Sequence, residues 1–154
     1  MFSQPRPGIA TAVCHRLFMS PRILLVDDDR EFAQLIEFNL KSQGCEVQVA
    51  HDGMEGLRLA RKDMPDLILL DLMLPDLGGL SVCEILQSQP STRDIPVFIL
   101  SALDESWAKK RKSRTTFAGY FVKPVDLKLL SQSALSACRQ RQAAIGARLE
   151  ENSD

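Results

Sequence analysis

Short apolar runs alternate with longer amphipathic segments along most of the chain. The apolar runs predict five β-strands, at residues 22–26, 45–50, 66–71, 96–101 and 119–123. Three of these runs are apolar at consecutive positions, as strands that are buried on both faces of a parallel sheet require. The alternation therefore predicts an α/β fold built on one parallel sheet.

The segments between the strands predict helices. Asp29 is a suitable N-cap for the first helix, apolar residues follow it at helical spacing, and Gly44 is expected to end it. The other helices are predicted at residues 54–62, 80–87, 104–116 and 126 to about 147. The segment 104–116 has almost no apolar stripe, and a helix is expected there only because a right-handed crossover must join two parallel strands.

The stretch PDLILLDLMLPD places a carboxylate, Asp71, at the end of a buried strand. An uncompensated charge at such a position costs several kcal/mol, which suggests a working role. Asp27 and Asp28 follow the first strand, Ser101 ends the fourth, and Lys123 ends the fifth. Because ligands of open parallel sheets bind at the carboxyl edge of the strands, we expect these side chains to converge into one site.

Three carboxylates that lie close together repel one another, and their pKa values rise unless a cation lies among them. Oxygen ligands suit a hard ion, and Mg²⁺ fits best because it takes one or two carboxylates and leaves a place for a phosphoryl oxygen. A metal, a lysine and a hydroxyl around one carboxylate are the parts for phosphoryl transfer to Asp71.

Each of these residues also has a simpler interpretation. Asp27 can belong to a helix cap, Asp71 to a turn at the end of a strand, and Lys123 to the solvated rim of the sheet. These interpretations would have to coincide at the ends of several strands, which favours a common site.

Composition sets limits on the class of protein. The 154 residues are 45% hydrophobic and 25% charged, with a net charge of −1, so no global field favours nucleic acid or a membrane surface. No apolar run reaches the ~18 residues of a membrane span, and the apolar residues within 1–20 are too interrupted to form the core of a signal peptide.

The cysteines Cys14, Cys45, Cys83 and Cys138 lack metal-ligand spacing, which indicates reduced thiols in a cytoplasmic protein. His15 and His51 have no partner pattern and are expected on the surface or in loops.

The motifs ILLVDDD, LILLDLMLPDLGG, FILSA and YFVKP, in this order and spacing, resemble the receiver domain of two-component response regulators, the CheY-like superfamily. The resemblance covers about residues 21–139. It implies a flavodoxin-like fold with strand order 2-1-3-4-5 and five flanking helices. It also implies that Asp71 accepts a phosphoryl group from the phosphohistidine of a sensor histidine kinase or a phosphotransfer protein.

The resemblance also implies the remaining site residues. Asp28, Asp71 and the backbone carbonyl of Met73 would bind Mg²⁺, and Asp27 would assist through water. Ser101 and Lys123 would hold the phosphoryl oxygens.

In the switch that the family implies, the hydroxyl of Ser101 moves toward the phosphate and Tyr120 turns inward behind it. The Lys123–Pro124 peptide is expected to be cis, and Gly78 and Gly79 are expected to form a tight turn. Polar side chains at the positions of Met73 and Leu103 help to orient the hydrolytic water in the family, so the apolar residues here predict slow loss of the phosphoryl group.

The predicted domain organisation is an unstructured N-terminal extension at 1–20, a receiver domain at 21–139, and a helix extension and tail at 140–154. Because Met19 directly precedes the patterned chain, the N-terminal extension is either an upstream-start artefact or a docking arm.

The chain departs from the family pattern at several positions. Val125 stands where DNA-binding members usually have Phe, and Thr116 stands where a glycine is common. The basic run at residues 109–114, KKRKSR, is either a solvated helix face or a docking patch for an acidic partner or nucleic-acid phosphate.

Two hypotheses for the output follow. The chain is either a stand-alone receiver that signals by phosphorylation-dependent binding to another protein, or part of a longer regulator whose output domain, such as a DNA-binding domain, is missing. A homodimer formed on phosphorylation is a further candidate partner state, whereas direct binding to nucleic acid or membrane is not expected. An aspartyl-phosphate phosphohydrolase is a weaker alternative, since that class needs an acid where Met73 stands. We therefore expect a signalling switch that catalyses only its own phosphoryl transfer and dephosphorylation.

Overall fold

The computed structural model describes residues 19–111 and 114–153, which form a five-stranded parallel sheet flanked by helices. The strands are β1 (Arg22–Val26), β2 (Glu46–Ala50), β3 (Leu67–Leu70), β4 (Val97–Ser101) and β5 (Gly119–Val122). Their order is β2-β1-β3-β4-β5, so the predicted flavodoxin-like topology is confirmed. Most of the predicted N-terminal extension, residues 1–18 with Cys14 and His15, lies outside the described residues.

The helices are α1 (Arg30–Ser42), α2 (Gly53–Asp63), α3 (Gly79–Ser88), α4 (Glu105–Lys110) and α5 (Leu127–Glu151). Asp29 is the N-cap of α1, and its side chain accepts a hydrogen bond from the amide of Phe32. Gly44 follows α1 with φ of +88°, a left-handed conformation that glycine adopts without strain. Both signals at the ends of α1 are therefore confirmed.

The prediction for α4 was wrong in length. A helix was expected over 104–116, but α4 ends at Lys110, and Arg111 has extended dihedral angles. Ala108 is the buried residue of α4, whereas Lys109, Lys110 and Arg111 are exposed and do not hold a longer helix against the sheet. The Arg111 guanidinium instead stacks over the Trp107 ring, 4.1 Å from its centroid.

Helix α5 is longer than the pattern indicated. It continues past the predicted end near residue 147 to Glu151. Its distal half is anchored by buried Gln142, whose Nε2 donates to Asp66 Oδ2 at 3.1 Å, and by Arg148, which lies 3.3 Å from Asp94 Oδ2. These contacts join the C-terminal segment to the amino-terminal edge of the sheet.

Two apolar layers cover the faces of the sheet. All four residues of β3 are fully buried, as predicted for a central parallel strand. One layer joins the sheet to α2, α3 and α4 and includes Leu57, Val82, Leu86 and Ala108, and the other joins it to α1 and α5 and includes Ala33, Ile36, Leu40, Leu130 and Ala134. Cys45, Cys83 and Cys138 are buried free thiols. Within the described part of the chain, no helix combines the length and apolar composition needed to cross a membrane.

Candidate functional site

The predicted polar residues meet at the carboxyl edge of the sheet. Val26 pairs with Leu70 in the β1–β3 register, so the residues that follow them, Asp27 and Asp71, leave neighbouring strands side by side. At the ends of the neighbouring pair of strands, β4 and β5, the Lys123 amide donates to the Ser101 carbonyl at 2.8 Å. The parallel register therefore converts positions that are distant in sequence into one cluster.

Three carboxylates form the centre of this cluster. One oxygen from each of Asp27, Asp28 and Asp71 lies within 4.8 Å of the other two. Asp27 is fully buried, Asp71 is 7% exposed, and Asp28 is exposed to solvent. Burial raises the pKa of Asp27, although hydrogen bonds from Lys123 and the Asp29 amide oppose that rise. A set of carboxylate oxygens that is open on one side fits a hard divalent cation.

Lys123 lies among these carboxylates. Its Nζ is 2.8 Å from Asp27 Oδ2 and 3.3 Å from Asp71 Oδ2, and it lies 4.1 Å from the centroid of the Phe32 ring. Burial alone would lower the pKa of the Lys123 ammonium, but the hydrogen bond and charge of Asp27, together with Asp71, outweigh burial and raise it. Lys123 is therefore a charged lysine that bridges two acids, and not a solvated rim residue.

Ser101 and Tyr120 are linked through the backbone of Leu103. The fully buried Ser101 hydroxyl accepts a hydrogen bond from the Leu103 amide at 3.2 Å. The Tyr120 hydroxyl donates to the Leu103 carbonyl at 2.8 Å, with the Asp104 carbonyl at 3.1 Å. Burial raises the pKa of the Tyr120 phenol. The two predicted switch residues thus contact the same loop between β4 and α4.

The β3–α3 loop, residues 71–78, begins at the candidate phosphoacceptor. The Met73 amide donates to Asp71 Oδ1 at 3.1 Å, and the Met73 side chain is 62% exposed. The role of the Met73 carbonyl as a metal ligand stays a prediction. The predicted cis peptide at Lys123–Pro124 is present.

The two glycines that end this loop differ in what they contact. A Cβ atom on Gly79 would lie 2.2 Å from the Asp71 carbonyl oxygen, whereas one on Gly78 would meet nothing within 4 Å. The close approach of α3 to Asp71 therefore requires glycine at position 79, whereas Gly78 is the extended N-cap of α3.

Two residues near the site were missed by the sequence interpretation. His51 lies in a loop, as expected, but its Nδ1 is 3.0 Å from the Asp27 carbonyl oxygen. Asp76, in the β3–α3 loop, accepts hydrogen bonds from the amides of Gly53 and Met54. For His51 a signal was available, because it directly follows β2, which neighbours β1 at the same edge. For Asp76 no local pattern indicates a partner more than twenty residues away.

This arrangement matches a known family. The model of the response regulator receiver domain matches residues 23–135. The chain belongs to this family. The DNA-binding dual master transcriptional regulator RpaA of Synechocystis sp. is similar to it, with 43% identity over 107 residues, which make up 70% of this chain and 44% of RpaA. This chain therefore spans less than half the length of that regulator.

Solved receiver domains share the fold. The Francisella response regulator 1452 receiver domain superposes with a TM-score of 0.72 at 33% identity, and the match covers 79% of this chain and 98% of that one. The receiver domain of the sensor histidine kinase PA1611 from Pseudomonas aeruginosa has a TM-score of 0.69 at 28% identity, over 78% and 98% of the two chains. That structure has a magnesium ion coordinated in its active-site cleft. Receiver domains thus bind Mg²⁺ at an acidic site of this kind.

Proposed function

We propose that this receiver accepts a phosphoryl group on Asp71 from the phosphohistidine of a sensor histidine kinase or a phosphotransfer protein. The observation that carries the proposal is the position of Lys123 Nζ, which bridges Asp27 and Asp71 beside a third carboxylate, Asp28. A structural ion pair needs one acid, whereas two acids and an open third one leave room for a divalent cation and a phosphoryl group.

Each residue has a distinct role in this transfer. An oxygen of the Asp71 carboxylate attacks phosphorus in line, a P–O bond forms, the P–N bond to histidine breaks, and the imidazole leaves. Lys123 then exchanges its contact with Asp71 for the phosphoryl oxygens, and the Ser101 hydroxyl donates to one of them. Bound Mg²⁺ would supply charge neutralisation at the phosphoryl oxygens.

The Mg²⁺ ligands that we propose are Asp28, Asp71 and the Met73 carbonyl. Asp27, which is fully buried and paired with Lys123, would assist through a water molecule. The donor set consists of oxygen atoms, which is the chemistry that Mg²⁺ requires.

The conformational change on phosphorylation would be transmitted through the β4–α4 loop. When Ser101 turns toward the phosphoryl group, it gives up the hydrogen bond from the Leu103 amide, and Tyr120 holds the carbonyl of the same residue. A hydrogen-bond change at Ser101 is thereby transmitted to Tyr120 and to the surface formed by α4 and β5.

We propose that the output is a change in binding to a protein partner, which can be a second copy of this chain. The alternative is a receiver that is joined to an output domain outside this sequence, since RpaA is a DNA-binding regulator of which this chain spans 44%. The sequence of the complete gene distinguishes these two outputs.

The buried free thiols Cys45, Cys83 and Cys138 support a cytoplasmic location, because they indicate a reducing compartment.

The test is phosphorylation by a small-molecule donor. Acetyl phosphate with Mg²⁺ should add one acid-labile phosphoryl group, and a metal chelator should prevent the addition. The Asp71→Asn variant should remain unlabelled, whereas Asp94→Asn, which changes an exposed acid before β4, should be labelled like the wild type. Labelling of Asp71→Asn at the wild-type level would remove the proposal.

A further inference from the structure

The β3–α3 loop is tied to a helix outside the site. Asp76 Oδ1 accepts a hydrogen bond from the Gly53 amide at 2.7 Å, and Oδ2 accepts one from the Met54 amide at 2.9 Å. The next amide, that of Glu55, donates to the N-cap side chain of Asp52 at 2.7 Å. Two carboxylates therefore accept hydrogen bonds from the first three backbone amides of α2, which have no partner within the helix. One carboxylate, Asp52, is the local N-cap, and the other, Asp76, comes from the β3–α3 loop.

The contact between Asp76 and α2 needs a residue without a side chain at position 53. A Cβ atom on Gly53 would lie 2.9 Å from Val82 Cγ2, 3.0 Å from Leu77 Cβ and 3.2 Å from Asp76 Oδ1. The loop and α3 thus pack directly against the backbone of α2. This close fit leaves Asp76 little freedom to shift once both hydrogen bonds have formed.

The other hydrogen bonds of the loop lie at its two ends. The Met73 amide donates to Asp71 Oδ1, and the Gly79 amide donates to the Leu72 carbonyl at 2.9 Å. Those bonds shape the first turn and close the loop, and Leu74 and Leu77 on either side of Asp76 pack against the hydrophobic core. The bidentate contact of Asp76 adds a hydrogen-bonded connection between the loop and a separate element, α2.

We propose that Asp76 is a positioning residue for the phosphoacceptor loop: it fixes the segment that carries Met73 beside Asp71 and so sets the affinity for Mg²⁺. This inference rests on the proposed function, because it assumes that the loop contributes to the metal site. Outer contacts that orient metal ligands commonly change metal affinity as strongly as some ligands do.

The contact is present at neutral pH. The hydrogen bond from the Gly53 amide lowers the pKa of the Asp76 carboxyl, and the bond from Met54 adds to this effect. An ionised carboxylate is also favoured by the positive end of the α2 dipole.

The experiment compares two carboxylates that cap the same helix. Asp76→Ala should weaken Mg²⁺ binding, measured by calorimetric titration of the full chain, by roughly 10-fold. Asp52→Ala removes a hydrogen bond to the same helix start but none to the loop, so it should lower thermal stability while leaving Mg²⁺ affinity at the wild-type value. Asp76→Asn keeps one acceptor oxygen and should recover part of the affinity.

Amide hydrogen exchange provides a reading that does not depend on metal. Without Mg²⁺, Asp76→Ala should accelerate exchange across residues 72–78, and Asp52→Ala should not. Wild-type Mg²⁺ affinity in Asp76→Ala, or an equal loss in Asp52→Ala, would overturn the inference. If the wild type itself bound no Mg²⁺, the proposed function would fail. Unchanged exchange in Asp76→Ala would then overturn the positioning role separately.

Discussion

Gly79→Ala should destabilise the protein, although it adds a single methyl group. Gly79 is the first residue of α3, and its Cβ would lie 2.2 Å from the Asp71 carbonyl oxygen and 2.6 Å from Leu72 Cα. The first of these separations is about 1.3 Å shorter than the ~3.5 Å of an optimal contact. Both neighbours are backbone atoms of the phosphoacceptor loop, so no side-chain rotation relieves the clash.

The magnitude follows from two costs and one gain. Overpacking in a close-packed region costs about 1–3 kcal/mol. Displacing α3 also stretches the hydrogen bond from the Gly79 amide to the Leu72 carbonyl, which is worth roughly 0.5–1.5 kcal/mol. The lower backbone entropy of alanine in the unfolded chain returns about 0.4–1 kcal/mol. The net loss is about 0.5–4 kcal/mol, or a fall of roughly 1–16 °C in the unfolding midpoint of a chain of this length.

The assay is thermal unfolding followed by circular dichroism, with Gly78→Ala as the matched control. A Cβ on Gly78 meets nothing within 4 Å, and its φ of −61° is accessible to alanine. Alanine is a poorer N-cap than glycine, but its lower entropy in the unfolded chain offsets part of that cost, so the control should lie within about 1 kcal/mol of the wild type. Equal midpoints for the two variants would refute the close approach of α3 to Asp71.

Three further predictions concern the lifetime of the phosphoryl group, the basic run and the acid cluster. The double variant Met73→Asn, Leu103→Glu should lose its phosphoryl group faster than the wild type, since polar side chains there can orient a water molecule; equal decay would contradict apolar shielding. If residues 109–114 form a docking patch, changing their basic residues to Gln should weaken partner binding and reduce its salt dependence, whereas unchanged affinity favours a solvated face. Because the pKa of Asp27 is raised, the folded state favours the protonated carboxyl. The contribution of this group to folding stability is fully present below its unfolded pKa of 3.8 and is lost as the pH rises through the folded pKa. Asp27→Asn should therefore gain stability relative to the wild type between acid and neutral pH in denaturant titrations without Mg²⁺, and a relative loss would show that pairing with Lys123 outweighs burial.

Most of the fold could be predicted because its signals are local and strong. The run Leu67–Leu70 has to be buried on both faces, which only a central strand of a covered sheet provides. Asp29 and Gly44 mark the ends of α1 through backbone chemistry that depends on neighbouring residues alone. The predicted length of α4 was wrong because two parallel strands require a crossover connection, but this requirement does not determine how much of the connection is helical.

The site was predictable to the extent that strand ends determine it. Asp71 and Lys123 stand at carboxyl ends, and the sheet brings them to 3.3 Å. The partner of Asp76 was not predictable, because it depends on the tertiary arrangement of distant elements, whereas His51 could have been placed near the site from its position directly after β2. Their hydrogen bonds depend on how the loops cross the sheet edge, which periodicity does not report.

The central claim, that Asp71 is the phosphoacceptor, is tested most directly by locating the modification. The protein is phosphorylated with acetyl phosphate and Mg²⁺, the acyl phosphate is reduced with borohydride, and the digested chain is mapped by mass spectrometry. Reduction should convert Asp71, and no other aspartate, to homoserine in proportion to the phosphoryl group that was incorporated. Homoserine at Asp27 or Asp28, or incorporation without any change at Asp71, would contradict the claim.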